Sequence, residues 1–282
     1  MIQDLDARAL AHHAEAVPQA LPEFGQPPLT EVVCGLQFQA LALRTVHLGD
    51  FWQTMRDRYP SFEDHAPLAN IFDDSDRGVR VEQDYFLDMP PLRRVFFVDE
   101  TKNFLLQLGA SRFLANWRKL NDSDAYPRFD ATYVRLREGW DKFREYSSRS
   151  ELGAIRLNQY ELTYINHIPD EMSGSDHANE LFTFVRWPQL SVDVFEPNLR
   201  GTQLRFQIPF KKARGSLSVA LQRGERVPDG RHVFILELTA RGSAAEDGAD
   251  RDGWFAFAHE AIVQTFASLT TTKAHEHWGR IR

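Results

Sequence analysis

The stretch RFLANWRKL sets Arg112, Asn116, Trp117, Arg118 and Lys119 within eight consecutive positions. An arginine guanidinium offers a planar two-pronged fork that matches a carboxylate or a phosphate, an asparagine adds a neutral donor and acceptor, and an indole supplies a surface to stack on. Read as a corner between the two halves of the chain, Arg112 to Trp117 is a candidate small-molecule or catalytic site. The competing account has Asn116 satisfying backbone groups and Trp117 plugging the core. A second constellation is more dispersed. Gln37, Gln39, Gln203, Arg205 and Gln207 occupy alternate positions in segments of strand character. Glutamine donates and accepts without charge, which suits recognition of backbone amides or other neutral polar groups.

Other chemistry-bearing residue types lack the spacing their chemistry needs. His275 and His277 flank Glu276, and Glu260 follows His259, but no HExxH pattern occurs and alternate residues on a helix diverge. No metal is expected. His167 ends a strand with no serine or cysteine partner suggested nearby, and Glu161, Glu196 and Glu237 on strands read as open-face carboxylates. DDSDRG at 73–78 and EDGADRDG at 246–253 resemble calcium loops only in composition, since Arg77 falls where an oxygen ligand belongs. Neither GxGxxG after a strand nor a Walker pattern is present, so no nucleotide cofactor is expected. The single cysteine, Cys34, excludes an intrachain disulfide, and its inward position predicts an inert thiol.

The elements that must position these residues follow from periodicity. Pro27 and Pro28 cannot donate ladder hydrogen bonds and suit the approach to a strand. Beyond them Val32, Cys34, Leu36, Phe38 and Ala40 point one way, and Val33, Gly35, Gln37 and Gln39 the other. Leu48, Phe51, Trp52, Met55 and Tyr59 recur every three to four residues up to Pro60 and predict a helix. Residues 61–78 are acidic and turn-rich and lead to a short strand near Val79 to Asp84. RRVFFVDE and NFLLQLGA predict a hairpin. From Pro127 to 147, Phe129, Tyr133, Leu136, Trp140 and Phe143 form one apolar helical stripe, each side chain worth ~2 kcal/mol when buried. A strand over 154–168, a short helix at 176–184, strands at 190–196, 202–210, 215–223 and 231–241, and a helix over 254–269 complete the series. Trp254, Phe257, Ala258, Ala261, Ile262, Thr265, Phe266 and Leu269 form the apolar side of that last helix.

The order strand, helix, antiparallel strands, helix occurs twice. It predicts an α+β protein of two tandem related halves, 27–150 and 151–282, after a flexible arm over 1–26, with helices on one face of each antiparallel sheet in a duplicated, saddle-like arrangement. Leu204, Phe206, Ile208 and Phe210 then oppose Gln203, Arg205 and Gln207, as expected of a sheet covered on one side and open on the other. Among 282 residues, 33 basic against 40 acidic side chains and no long block of consecutive lysines or arginines argue against general attraction to nucleic acid. No run of about 18 apolar residues predicts a membrane span, and the first 21 residues lack a signal-peptide pattern, so a cytoplasmic location is expected.

PPLTEVVCGLQF, QLGASRFLANWRKL, ELTYINHI and FASLTTTKAHEHWGR together resemble a sporadically distributed, uncharacterised bacterial protein family whose members open on a proline-proline, Glu-Val-Val, Gly and Gln-Phe signature. The similarity runs from Pro27 to Arg280. It implies an accessory or defence-type setting and brings no cofactor or catalytic residue with it. The leading expectation is a non-catalytic module that engages a protein or peptide through the open polar face, with an enzyme or small-molecule binder at Arg112–Trp117 as the alternative. Nucleic acid ranks third, and self-association stays open.

Overall fold

The computed structural model describes residues 20–74, 78–82, 92–170, 178–185, 203–211, 213–226 and 229–282. The first part of the chain forms β1 (Leu29–Phe38), α1 (Thr45–Gln53), β2 (Ser61–His65), β3 (Asn70–Asp74), β4 (Gly78–Glu82), β5 (Arg94–Val98), β6 (Phe104–Leu108), β7 (Arg112–Arg118) and α2 (Phe129–Arg149). The second part forms β8 (Leu157–Pro169), α3 (Ala178–Leu181), β9 (Gln203–Pro209), β10 (Gly215–Arg226), β11 (Arg231–Ser243), α4 (Arg251–Leu269) and α5 (Thr272–His277).

Nine of the strands make one sheet in the order β2-β5-β6-β7-β1-β8-β11-β10-β9, antiparallel throughout. Outward from the central β1–β8 pair, the order is β1, β7, β6, β5 on one side and β8, β11, β10, β9 on the other. β3 and β4 pair only with each other in a separate hairpin. The class is therefore α+β, with a single continuous sheet.

One face of that sheet carries the main core. Val32, Cys34, Leu36 and Phe38 of β1 lie there with Tyr160, Leu162 and Tyr164 of β8 and Leu236, Leu238 and Ala240 of β11. The apolar stripe Phe129, Tyr133, Leu136, Trp140 and Phe143 packs down on it from α2, which seats against β7, β1 and β6. Gly139 allows the close approach, because a Cβ there would meet Leu106 Cδ1 at 2.7 Å and Phe113 Cζ at 3.0 Å. Phe51 of α1 then fills the space among Phe97, Phe113 and Phe143, with ring centroids 5.8, 6.4 and 5.4 Å away. Edge-to-face contacts of this kind add to the area term. α4 covers β8 and β11 with Trp254, Phe255, Ala258, Ile262 and Phe266 buried. Phe255, absent from the expected stripe, is fully buried, whereas Phe257 is half-buried against Phe210.

Pro28 does give β1 a defined entry. Its carbonyl accepts from the His167 amide at 2.9 Å, and Thr30 Oγ1 donates to the Ile165 carbonyl at 3.0 Å. A register shift between Leu29 and Glu31 absorbs the start of the strand.

Several expectations change. α1 ends at Gln53 and only turns carry Met55 and Tyr59 into the core, while Trp52 stays half-buried with Nε1 donating to the Tyr59 carbonyl at 2.8 Å. The segment read as turns contains β2 and β3. The arm read as loose is held from Glu23 onward, since the Glu23, Gly25 and Gln26 amides donate to the Arg282, Gly279 and Trp278 carbonyls and Phe24 is buried beside Phe266 and Trp278. Residues 1–19, the strand expected at 190–196 with Glu196, and residues 75–77 of DDSDRG lie outside the described residues. Among the described residues no helix is long and apolar enough to cross a membrane.

Candidate functional site

The face opposite the helices is polar, and the strand registers set its residues in rows. One row runs Gln107, Leu114, Gly35, Glu161, Arg241, Ser216 across six strands. The next runs Asn116, Val33, Thr163, Thr239, Ser218, Gln207, and a third Glu31, Ile165, Glu237, Ala220, Arg205. On the other flank Arg112, Gln37, Gln159 and Ser243 stand abreast. Gln37, Arg112, Asn116, Arg205 and Gln207 thus share a face, as does Gln203 by the same alternation.

This face has a dry end and a wet end. Around β1, Gln37 is 4 % exposed, Arg112 6 % and Asn116 2 %. β3 lies over part of it, its Ile71 carbonyl accepting from Gln159 Nε2 at 2.6 Å. The expected open face is therefore closed at Gln37. What the alternation could not show was the hairpin inserted between β2 and β5.

The buried polar groups are interlocked. Arg241 Nε donates to Glu161 Oε2 at 2.6 Å, Arg112 Nη1 stands 3.8 Å from the same oxygen, and Arg112 Nη2 donates to Gln37 Oε1 at 3.0 Å. Burial alone would push the Glu161 carboxyl up, but the Arg241 and Arg112 guanidinium groups hold it below the usual carboxylate range. Beside this cluster Arg94 Nη1 donates to Gln107 Oε1 at 2.7 Å, Gln107 Nε2 to Asn116 Oδ1 at 2.8 Å, and Asn116 Nδ2 to Glu31 Oε1 at 2.6 Å. Burial raises the Glu31 carboxyl, with the Asn116 bond opposing it. Among the described residues, three buried donors of this cluster, Gln37 Nε2, Arg94 Nε and Arg112 Nε, have no hydrogen-bond partner.

Gly35 makes the arrangement fit. A Cβ at this position would meet Leu114 Cδ2 at 2.5 Å and Glu161 Cβ at 3.5 Å, so its missing side chain gives Leu114 and Glu161 their space.

The wet end is β9, which among the described residues pairs with β10 alone. Gln203, Arg205 and Gln207 are exposed on the polar side, and Gln207 Nε2 donates to Ser218 Oγ at 3.2 Å. On the other side Leu204 and Ile208 are also exposed, at 39 % and 41 %. Only Phe206 tucks in, 5.7 Å from Phe184.

The Arg112–Trp117 site does not assemble as expected. The segment is strand β7, flanked by β6 and β1 within the sheet, and its residues alternate. Arg112 and Asn116 face the polar side, whereas Trp117 is buried in the helix-side core against Tyr126, centroids 5.3 Å apart. Gln39 lies beyond the end of β1, exposed, with its amide donating to the Arg156 carbonyl at 2.9 Å. His275 is buried, held by Thr270 Oγ1 at 2.8 Å and Arg280 Nη1 at 3.1 Å. Glu237 accepts from Thr239 Oγ1 at 3.0 Å, and the Thr239 and Thr163 hydroxyls lie 3.0 Å apart. Arg241 and Arg94 were missed. Their only sequence signal is a cation at an outward strand position, and register alone shows that Arg241 stands opposite Glu161.

No protein-family model and no curated protein matches the chain.

Proposed function

We propose that the protein is a non-catalytic recognition module that takes an extended segment of a protein partner along β9, with Gln203, Arg205 and Gln207 reading its polar side. The observation that carries this reading is the exposure of β9 on both faces at what is, among the described residues, the edge of a nine-stranded sheet. An extended peptide added at such an edge gains main-chain hydrogen bonds, and its alternate side chains fall to opposite faces. Arg205 on one face favours acidic side chains, and Leu204 and Ile208 on the other favour apolar ones.

The mirrored strand order supports two tandem related halves, with β1, β5, β6, β7 and α2 answering to β8, β9, β10, β11 and α4. The family resemblance supports an accessory or defence-type setting, and the lack of a signal-peptide pattern in the sequence supports a cytoplasmic one. A second copy of the chain offering its own β9 is the self-association outcome that the same edge allows.

The test is a library of extended peptides displayed against the full chain and scored by affinity. Segments alternating acidic and apolar residues are expected to be enriched. A Gln203→Glu, Arg205→Glu, Gln207→Glu variant is expected to lose them at least tenfold, while Lys142→Glu on α2 retains them. Equal capture by the folded triple variant would sink the proposal.

A further inference from the structure

On the helix side, where α2 starts beside α4, the protein forms a half-open pocket of about 290 Å³. Its wall is mainly apolar, with Leu21, Phe24, Phe129, Ile262, Val263 and Phe266 contributing. Besides the charged residues and Asn166 in the lining, a hydrogen-bonded cluster of two tyrosines and a histidine faces it. The Tyr126 and Tyr164 hydroxyls lie 3.1 Å apart, and the Tyr164 hydroxyl lies 2.8 Å from His259 Nδ1. The His259 ring is fixed by stacking on Phe129, centroids 4.4 Å apart and planes within 6°. Among the described residues nothing hydrogen-bonds its other ring nitrogen, Nε2.

Size and charge narrow what fits. The volume is roughly twice the ~150 Å³ that accommodates benzene in a dry protein cavity, which points to about ten to twelve non-hydrogen atoms. The charges in the lining balance, Arg128 and Arg282 against Glu23 and Asp130. Glu23 is already engaged by both guanidinium groups, at 2.8 and 2.9 Å. Burial pushes the His259 imidazole down to about 4, so it is uncharged near neutral pH. With the lining's charges in balance, a charged ligand of either sign gains no net counter-charge, whereas an apolar body with one hydrogen-bonding atom finds both of its complements.

We propose that this pocket is a binding site for a neutral, compact, bicyclic-sized apolar molecule whose single hydroxyl or carbonyl is met by the Tyr164–His259 pair. It lies across the sheet from β9 and is independent of the peptide reading.

The experiment titrates the full chain with 2-naphthol and with naphthalene, following probe fluorescence and heat. 2-Naphthol is expected to bind about tenfold more tightly than naphthalene, the difference one good buried hydrogen bond makes. His259→Phe keeps a ring against Phe129 and is expected to abolish that preference while leaving naphthalene affinity within about twofold. Val263→Trp fills the pocket and is expected to remove both probes, and Leu21→Trp fills it from the chain entry should Val263→Trp fail to fold by circular dichroism. Absence of binding by either probe, equal affinities in the wild type, or undiminished binding in a folded filled variant would each overturn the proposal.

Discussion

The two ends of the polar sheet face carry similar side chains in opposite circumstances. At β1 and β7, Gln37 and Arg112 are locked beneath cover and tied to Glu161; at β9, Gln203, Arg205 and Gln207 stand in solvent. Both sets sit at alternate strand positions on the same side, so the amino-acid types alone do not set their roles. Enclosure does. A glutamine or arginine in water is nearly indifferent to folding, and the same group in a low-dielectric interior is costly unless its partners are present. One end should therefore govern stability and the other should govern association.

The largest expected effect breaks the dry end. Glu161→Ala leaves Arg112 and Arg241 buried without their shared counter-charge, and a loss of about 3–5 kcal/mol is expected by urea unfolding. A loss under about 1 kcal/mol would mean the cluster is wetter than its geometry indicates, and the contrast between the ends would fall. Acid sharpens the same point. The folded Glu161 carboxyl is held below its unfolded value, so its stabilisation is complete above the unfolded pKa near 4.3 and drains as pH falls through the folded one. The stability gap between wild type and Glu161→Gln is expected to be constant from pH 7 to about 5 and to close below about 4.

A middling effect is expected at Gly35. Gly35→Ala drives a methyl into Leu114 and should destabilise by about 1–3 kcal/mol. Combined with Leu114→Ala, which vacates that space, the two changes should fall short of additivity by about 1 kcal/mol in a double-mutant cycle. Strict additivity would show that Gly35 serves something other than the close packing of Leu114 and Glu161.

How much of this was legible in the sequence depends on how local each cause is. Strict alternation in β1 placed Cys34, Leu36 and Phe38 against Gly35 and Gln37, and the spacing of Phe129, Tyr133, Leu136, Trp140 and Phe143 set the buried stripe of α2. These patterns lie within one element and need no partner to be read. β7 was misread because Leu114 breaks the alternation: on the polar side it stands between Arg112 and Asn116, filling the gap above Gly35. Without that neighbour on another strand, RFLANWRKL has the composition of a loop. β2 escaped for the opposite reason, since Ser61, Phe62, Glu63 and Asp64 are all exposed and an edge strand wet on both faces has no period to display. The Tyr164–His259 pair joins residues 95 positions apart, and only the docking of α4 on β8 brings them together.

The smallest expected effect on stability is at the wet end, and it is the one that separates the two roles. Arg205→Ala removes an exposed charge, so unfolding free energy is expected to shift by no more than about 0.5 kcal/mol. The same change should weaken capture of acidic-apolar extended peptides, because the arginine fork would then be missing from the strand edge. Glu161→Gln offers the reciprocal measurement: stability falls, and peptide affinity of the remaining folded fraction holds. If Arg205→Ala instead destabilises the protein as much as Gly35→Ala does, β9 belongs to the same enclosed framework as β1, and the edge is not available to a partner.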